Sequence, residues 1–474
     1  MTPGVPSPSA SKPARKKLDR SIVDGPIGAA VWKLAWPTVL QNAIGGLQGI
    51  IDHAMVGHFV GYTGNAAVGV SWQIFLVVVV FIASLFTGMG VLVSRFAGAG
   101  DHDKVDRTVY QAFLTALFLA IGILAPIGYF VAPSLLGMVN AAPAVQAEAL
   151  PYLRTLFLFS VGTLMFFMIG GALRSAGDAR TPLYLGAALT VLNLTVNVIL
   201  IRGAGPIPAF GTMGAALGTV IASGIVSLVA FWMLLSGKLV VHFPRSMSWK
   251  PDWVIIRSLF RYGLPAGFQG VAMNIAGVML LRFIGSLEHS AEAQAAFAVG
   301  YAELFSLITW TSVGLMGAAA AVAGQNLGAG RPDRSAAGVF LAARYGLCVA
   351  GFIGALFWLI PEPLLAIFDI HEPIVVDLGK ELLRYLSISG LFITVALTFT
   401  GGLQGTGDTR SPLVITLISQ VLVPLGICFT AQFMGKLESS TVWTAILAGH
   451  FTRCALSVGR FQQGKWRHIA VDVR

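Results

Sequence analysis

Two carboxylates sit where a carboxylate is expensive. Of the 21 Asp and Glu in the chain, Asp52 and Glu303 fall well inside apolar runs, and an acid there faces a bundle interior or a water-filled cavity and marks an ion or substrate path. Gln41, Gln48 and Asp52 are spaced seven and four residues apart, which puts them on one helix face. Asn193 and Asn197, four apart, share a face of a later run. A carboxylate beside amide oxygens suits a proton or a hard cation such as sodium, which takes oxygen ligands. Glu303 overlays Gln73 when the chain is shifted by 230 residues, so matched polar groups stand at one depth as candidate lining of a substrate cleft, with Gln48. The bland alternatives are a satisfied structural charge at Asp52, interhelical glue at Asn193 and Asn197, and an ion pair of Glu303 with Arg282, the one cation expected inside the membrane.

These residues need helices, and the chain writes its helices twice. GALRSAGDARTPL from Gly171 returns as GGLQGTGDTRSPL from Gly401, with seven of thirteen positions identical. The same shift carries Phe96-Ala97-Gly98-Ala99-Gly100 onto Asn326-Leu327-Gly328-Ala329-Gly330, and a shift of 228 carries Pro37 onto Pro265. Duplication on this scale is typical of secondary transporters, whose substrates bind between the repeats. Apolar residues make up 56% of the chain and charged ones 11%, which suits lipid as the solvent. Runs long enough to cross a bilayer fall at 34–59, 65–94, 108–130, 151–172, 182–201, 213–235, 264–284, 293–323, 336–360, 382–402, 412–433 and 439–458. The expected fold is therefore an all-α integral membrane protein with twelve transmembrane helices in two pseudo-symmetric six-helix lobes.

An even number of spans per lobe makes both lobes enter the membrane in the same sense. With the amino terminus inside, Arg154, Arg202, Arg282, Lys380, Arg384 and Lys436 go outside, and the cytoplasmic segments hold the other 25 of the 31 Lys and Arg, among them Lys104, Arg107, Arg180, Lys250, Arg331, Arg410 and Arg460. That bias is the one the positive-inside rule requires. It accounts for the net charge of +10 without nucleic acid, since no soluble basic module is present. Residues 1–28 read as a disordered cytoplasmic tail, 29–240 as the amino lobe, 241–260 as a cytoplasmic linker, 261–460 as the carboxyl lobe and 461–474 as a second tail. Without an apolar signal-peptide core, the first span is expected to be retained. The repeated loops read as turns, with Thr181 and Ser411 as hydroxyl caps, proline in the first helical turn, and ion pairs of Asp178 with Arg180 and Asp408 with Arg410. Cys348, Cys428 and Cys454 lack metal-ligand spacing and read as packing. No nucleophile elbow or His-Glu metal motif supports an enzyme, and no cofactor is expected.

LAWPTVLQNAIGGLQGIIDHAMVGHFVG, the two repeated loops, LNLTVNVILI and GTMGAALGTVIA together resemble the multidrug and toxic compound extrusion (MATE) family over about residues 29 to 460. The resemblance implies a central cleft and export of organic, often cationic, compounds in exchange for protons or sodium. It matches Asp52 to the aspartate of the family's amino-lobe cation site, Asn193, Asn197 and Thr219 to its polar companions, and Pro37 to a bend in the first helix. Many relatives carry aspartate where this chain has Asn197. Where the NorM branch has carboxylates in helices seven and ten, this chain has Met273 and Ile393, so its amino-lobe site is more like the DinF branch. The expected activity is alternating-access antiport through Asp52, with a proton the first choice of coupling ion and sodium held by Asp52, Asn193, Asn197 and Thr219 the second. The expected setting is a monomer in a lipid bilayer, in a prokaryotic inner membrane with both termini cytoplasmic. A lipid-linked saccharide flippase is the alternative; it would need several cations lining its cleft.

Topology gives the first test. Single cysteines at 104 and 250 in sealed cells should resist a membrane-impermeant maleimide. Efficient labelling from outside would reverse the assigned orientation.

Overall fold

The computed structural model describes residues 18–139, 142–244, 247–368 and 370–471. Twelve long helical rods account for most of them: α1 Ile27–Phe59, α2 Tyr62–Ala99, α3 His102–Met138, α4 Pro143–Leu158 with Val161–Ser175, α5 Arg180–Arg202, α6 Thr212–Leu235, α7 Trp253–Ile284, α8 Ser290–Gly328, α9 Pro332–Leu359, α10 Pro373–Thr406, α11 Arg410–Phe433 and α12 Ser439–Gln462. The two pieces of α4 meet at a 52° bend. Among the described residues nine rods are long and apolar enough to cross a membrane, or ten with the bent pair taken as one. The two that fall short, α1 and α12, have polar residues within their length, among them Gln48 and Asp52 in one and His450 and Arg453 in the other. Single π turns interrupt α3 at Leu119–Leu124, α8 at Ala298–Leu304 and α11 at Leu417–Leu422.

Each lobe has its own core, and the first helix of each lobe begins in the other. Ile255, Leu259 and Tyr262 of α7 belong to the amino-lobe core. Ala30, Val31 and Leu34 of α1 pack with Ala318 and Val322 of α8 and Val339 of α9. The crossings are built on glycine, because side chains would hold the backbones apart. A Cβ on Gly263 would stand 2.7 Å from Leu85 Cα, and one on Gly314 3.0 Å from the Val39 nitrogen. At the ends of α2 and α8, a Cβ on Gly98 would strike the Gln325 carbonyl and one on Gly328 the Arg95 carbonyl. These last two contacts are images of each other under the 230-residue repeat. The pseudo-two-fold therefore passes between them.

The segment before α1 is ordered, which departs from the tail expected over 1–28. Ile22 is fully buried, and the carbonyls of Val23 and Gly25 accept hydrogen bonds from Arg331 and Arg334 of the carboxyl lobe. Partial burial works against ionisation of Asp19, yet hydrogen bonds from Lys33 and Ser21 hold its carboxyl below the usual carboxylate range. This clamp is present at neutral pH and is lost only as pH falls through the lowered value. Residues 1–17 lie outside the described residues. At the other end Trp466 stacks on Phe461, and Arg95 of the amino lobe donates to the Ile469 carbonyl at 2.9 Å. The expected tail over 461–474 is thus docked as far as 471. The expected linker over 241–260 packs on the amino lobe through buried Val241 and Phe243, and Asp252 caps α7, which already begins at Trp253.

The crossing can be tested by adding atoms to it. Gly328→Val should lower stability by about 1–3 kcal/mol through overpacking. Gly317→Ala on the same helix, where no atom lies within 4 Å of the added Cβ, should leave it unchanged or slightly raised. Thermal unfolding of the two purified variants, compared with the parent, measures the difference.

Candidate functional site

The polar face of α1 meets α5. Thr190 of α5 donates to Gln48 Oε1 at 2.7 Å, and about two helical turns further along α5 Asn197 Nδ2 donates to Asp52 Oδ1 at 2.8 Å. Asn197 also donates to Asn193 Oδ1 at 3.2 Å, and Asn193 Nδ2 donates to Thr219 Oγ1 of α6 at 3.3 Å. The chain of bonds ends in the backbone, where Thr219 donates to the Ala215 carbonyl at 3.1 Å. Both asparagines are fully buried and Asp52 is half-buried. Asn197 Oδ1 is buried without a partner and presses against Gly218, where any Cβ would collide with it. Beside Asp52, His53 Nδ1 meets Asn65 Oδ1 at 2.6 Å.

In this arrangement the carboxylate faces a donor. Asp52 and the oxygens of Asn193, Asn197 and Thr219 do not converge on one point: Asn193 Oδ1 and Thr219 Oγ1 accept hydrogen bonds within the network, and Asn197 Oδ1 is turned to Gly218. A sodium shell needs several oxygens aimed inward, whereas a proton needs one carboxyl group.

The site borders open space between the lobes. Contact between α1 and α8 reaches Asn42, whose Nδ2 donates to the Trp310 carbonyl at 3.2 Å. The same face of α1 continues as Gly46 and Gly49, and no atom lies within 4 Å of a Cβ built at either. Gln73 and Glu303 are both exposed. No ion pair joins Glu303 to Arg282 among the described residues. Arg282 is exposed in the last turn of α7. Pro37 lies buried in an α1 that runs unbroken from Ile27 to Phe59; its missing N–H leaves the Lys33 carbonyl without the usual helical donor.

Two arginines enter the helix packing, Arg174 in the last turn of α4 and Arg453 in α12. Arg174 Nη1 donates to Gln41 Oε1 at 3.1 Å, and its repeat counterpart Gln404 donates to Gln269 at 3.3 Å, so one polar link survives in both lobes. Arg453 is 1% exposed. It stands nine residues before the end of α12 at Gln462, about 13 Å into the helix at 1.5 Å per residue, and that depth was the signal available in the sequence. The repeated loops also differ from expectation. Asp178 and Asp408 are themselves the caps, accepting from the backbone N–H of Thr181 and Ser411 at 3.0 and 3.2 Å while the two hydroxyls donate to them at 2.8 Å. Asp408 pairs with Arg460 at 2.8 Å rather than with Arg410, because α12 brings the guanidinium against the turn.

Known proteins are similar to this chain along nearly its whole length. The chain is 26% identical to the probable multidrug resistance protein NorM of Thermotoga maritima over 93% of its length and 94% of the relative's. It is 25% identical to the multidrug resistance protein PmpM of Pseudomonas aeruginosa over 88% of this chain and 87% of that one. The solved structure of a multidrug resistance MATE family transporter of the MOP superfamily in an outward-facing conformation superposes with a TM-score of 0.86 at 20% identity, covering 95% of this chain and 98% of that one. The fold is thus that of transporters with twelve membrane helices in two lobes. The family model MatE matches residues 37–199 and 265–430, nearly all of the duplicated helical body. The chain belongs to the MatE family.

Proposed function

We propose that the protein is an efflux antiporter, exporting organic compounds in exchange for a proton carried by Asp52. The observation that carries this reading is the Asp52–Asn197–Asn193–Thr219 network at the edge of the inter-lobe opening. A carboxylate there attracts a cationic compound or a proton, and one group that cannot hold both at once couples their movements. The donor-facing geometry favours the proton over sodium. It also suits an amino-lobe site of the DinF kind. Homology to multidrug efflux transporters supports organic cargo.

In this proposal the lobes rock about the glycine crossing between two states. The described state is closed at the face bearing both termini and wider at the other, which the charge bias makes the outside of a prokaryotic inner membrane. Protonation would weaken the bond Asn197 makes to Asp52, since the donor then meets a neutral oxygen in place of a charged one. That change falls on α1, whose proline-interrupted hydrogen-bond ladder can yield. Gln48, Gln73 and Glu303 supply polar groups on the walls, and a single chain contains the whole pathway.

Reconstitution with separate proton and sodium gradients decides the matter. Asp52→Asn should insert normally and lose gradient-driven export of a fluorescent organic cation; variant protein that still concentrates the dye under either gradient would remove Asp52 from the coupling role. Asn197→Asp should retain export. Gly218→Ala should displace the Asn197 amide and reduce export by at least about tenfold, an energy of roughly 1.4 kcal/mol, and parental rates would show that the network is structural. Glu303→Gln should shift the preference among dyes without loss of fold.

A further inference from the structure

Duplication gives the amino-lobe site a counterpart, and the counterpart has the opposite polarity. A shift of 228 in the first helix of each lobe, and of 230 elsewhere, carries Asp52 to Leu280, Thr190 to Gln420, Thr219 to Gly449 and Ser223 to Arg453. Burial supports the register, since Thr212 and Val442, Ala215 and Ala445, Ser223 and Arg453, and Ser227 and Ser457 are all buried as pairs. Leu280, Gln420 and Gly449 line one cavity of the carboxyl lobe, together with Met273, Tyr301 and His450. The acid of one lobe is a leucine in the other, and a small hydroxyl residue is an arginine.

Among the described residues no ion pair includes Arg453. Its Nη1 reaches the cavity wall at the Met273 sulfur, 3.9 Å away, and its Nε has no partner; His450, 3% exposed, also leaves Nδ1 unpartnered. A guanidinium carries its charge permanently, a thioether is a weak acceptor, and a buried charge without a counter-charge is strongly destabilising. The wall beside it is aromatic. Ring centroids of Phe297 and Tyr301 lie 4.8 Å apart, Tyr301 and Phe305 5.4 Å, and Phe305 and His450 5.7 Å.

We propose that this cavity binds a small aromatic carboxylate, its ring against Tyr301 and His450 and its two oxygens on Arg453 in place of the Met273 sulfur. A planar guanidinium pairs bidentately with a carboxylate, and an offset ring stack supplies the apolar contact. The site needs neither Asp52 nor a gradient, so it stands or falls separately from proton-coupled export.

Equilibrium binding to the full-length protein in phosphatidylcholine nanodiscs tests it, with 2-naphthoate and its neutral isostere 2-naphthamide as probes. The parent protein should prefer the carboxylate by at least about tenfold, Asp52→Asn should keep that preference, and Arg453→Met should abolish it. Gly277→Leu fills the cavity at a position with no atom within 4 Å of the added Cβ, so it should lose naphthoate binding with the charge still in place. Equal affinity of the parent for both probes, or a preference that survives Arg453→Met or Gly277→Leu, would overturn the proposal; the parent and Gly277→Leu decide it even if Arg453→Met does not fold. Displacement of naphthoate by phosphatidylglycerol in the nanodisc would assign the arginine to a lipid headgroup and reject the aromatic ligand.

Discussion

Two backbones in contact, α2 against α8, fix everything else in this molecule. Gly98 and Gly328 bring each helix onto a carbonyl of the other, and close backbone approach through small residues is how helices associate where lipid removes the usual hydrophobic drive. Because the two contacts are repeat images, the joint lies on the pseudo-two-fold that relates the lobes. The exchanged beginnings of α1 and α7 brace it from both sides, and the docked ends of the chain tie each lobe to its neighbour.

Within that frame the lobes have diverged in charge while keeping their shape. Arg174 with Gln41 and Gln404 with Gln269 preserve one polar link in both copies. One turn or two further out the copies part: Asp52, Asn193, Asn197 and Thr219 form a continuous hydrogen-bonded chain in one, and the other presents Leu280 and Gly449 near Arg453. Each is costly to bury, and each borders a space that a solute of the opposite charge could reach.

The twelve helices and the duplication were legible in the sequence, because length, apolar runs and repeats are properties of the chain itself, whereas the meeting of Asp52 with α5 was implied only by the family resemblance. The shared face of Asn193 and Asn197 followed from their spacing, while Thr219 entered only through the family resemblance. Arg453 was passed over as one more basic residue of a charge count, although its place deep in the twelfth run set it apart. The pairing of Asp408 with Arg460 was out of reach, since the two are 52 residues apart in sequence and only the packing of α12 joins them. Asp408 as its own helix cap was closer to hand, but the adjacent Ser411 and Arg410 offered equally reasonable local chemistry.

The π turns add a historical dimension. A π turn is how a helix absorbs one inserted residue without unravelling. Those in α8 and α11 have no equivalent in α2 and α5, and that in α3 has none in α9. Tyr301 and Gln420 both stand on such turns. Each insertion rotates the helix beyond it by about a quarter turn, presenting a fresh set of side chains without disturbing the glycine joint at the far end. Single-codon insertions of this sort would let one copy of an ancestral gene acquire new binding preferences while its twin kept the old ones.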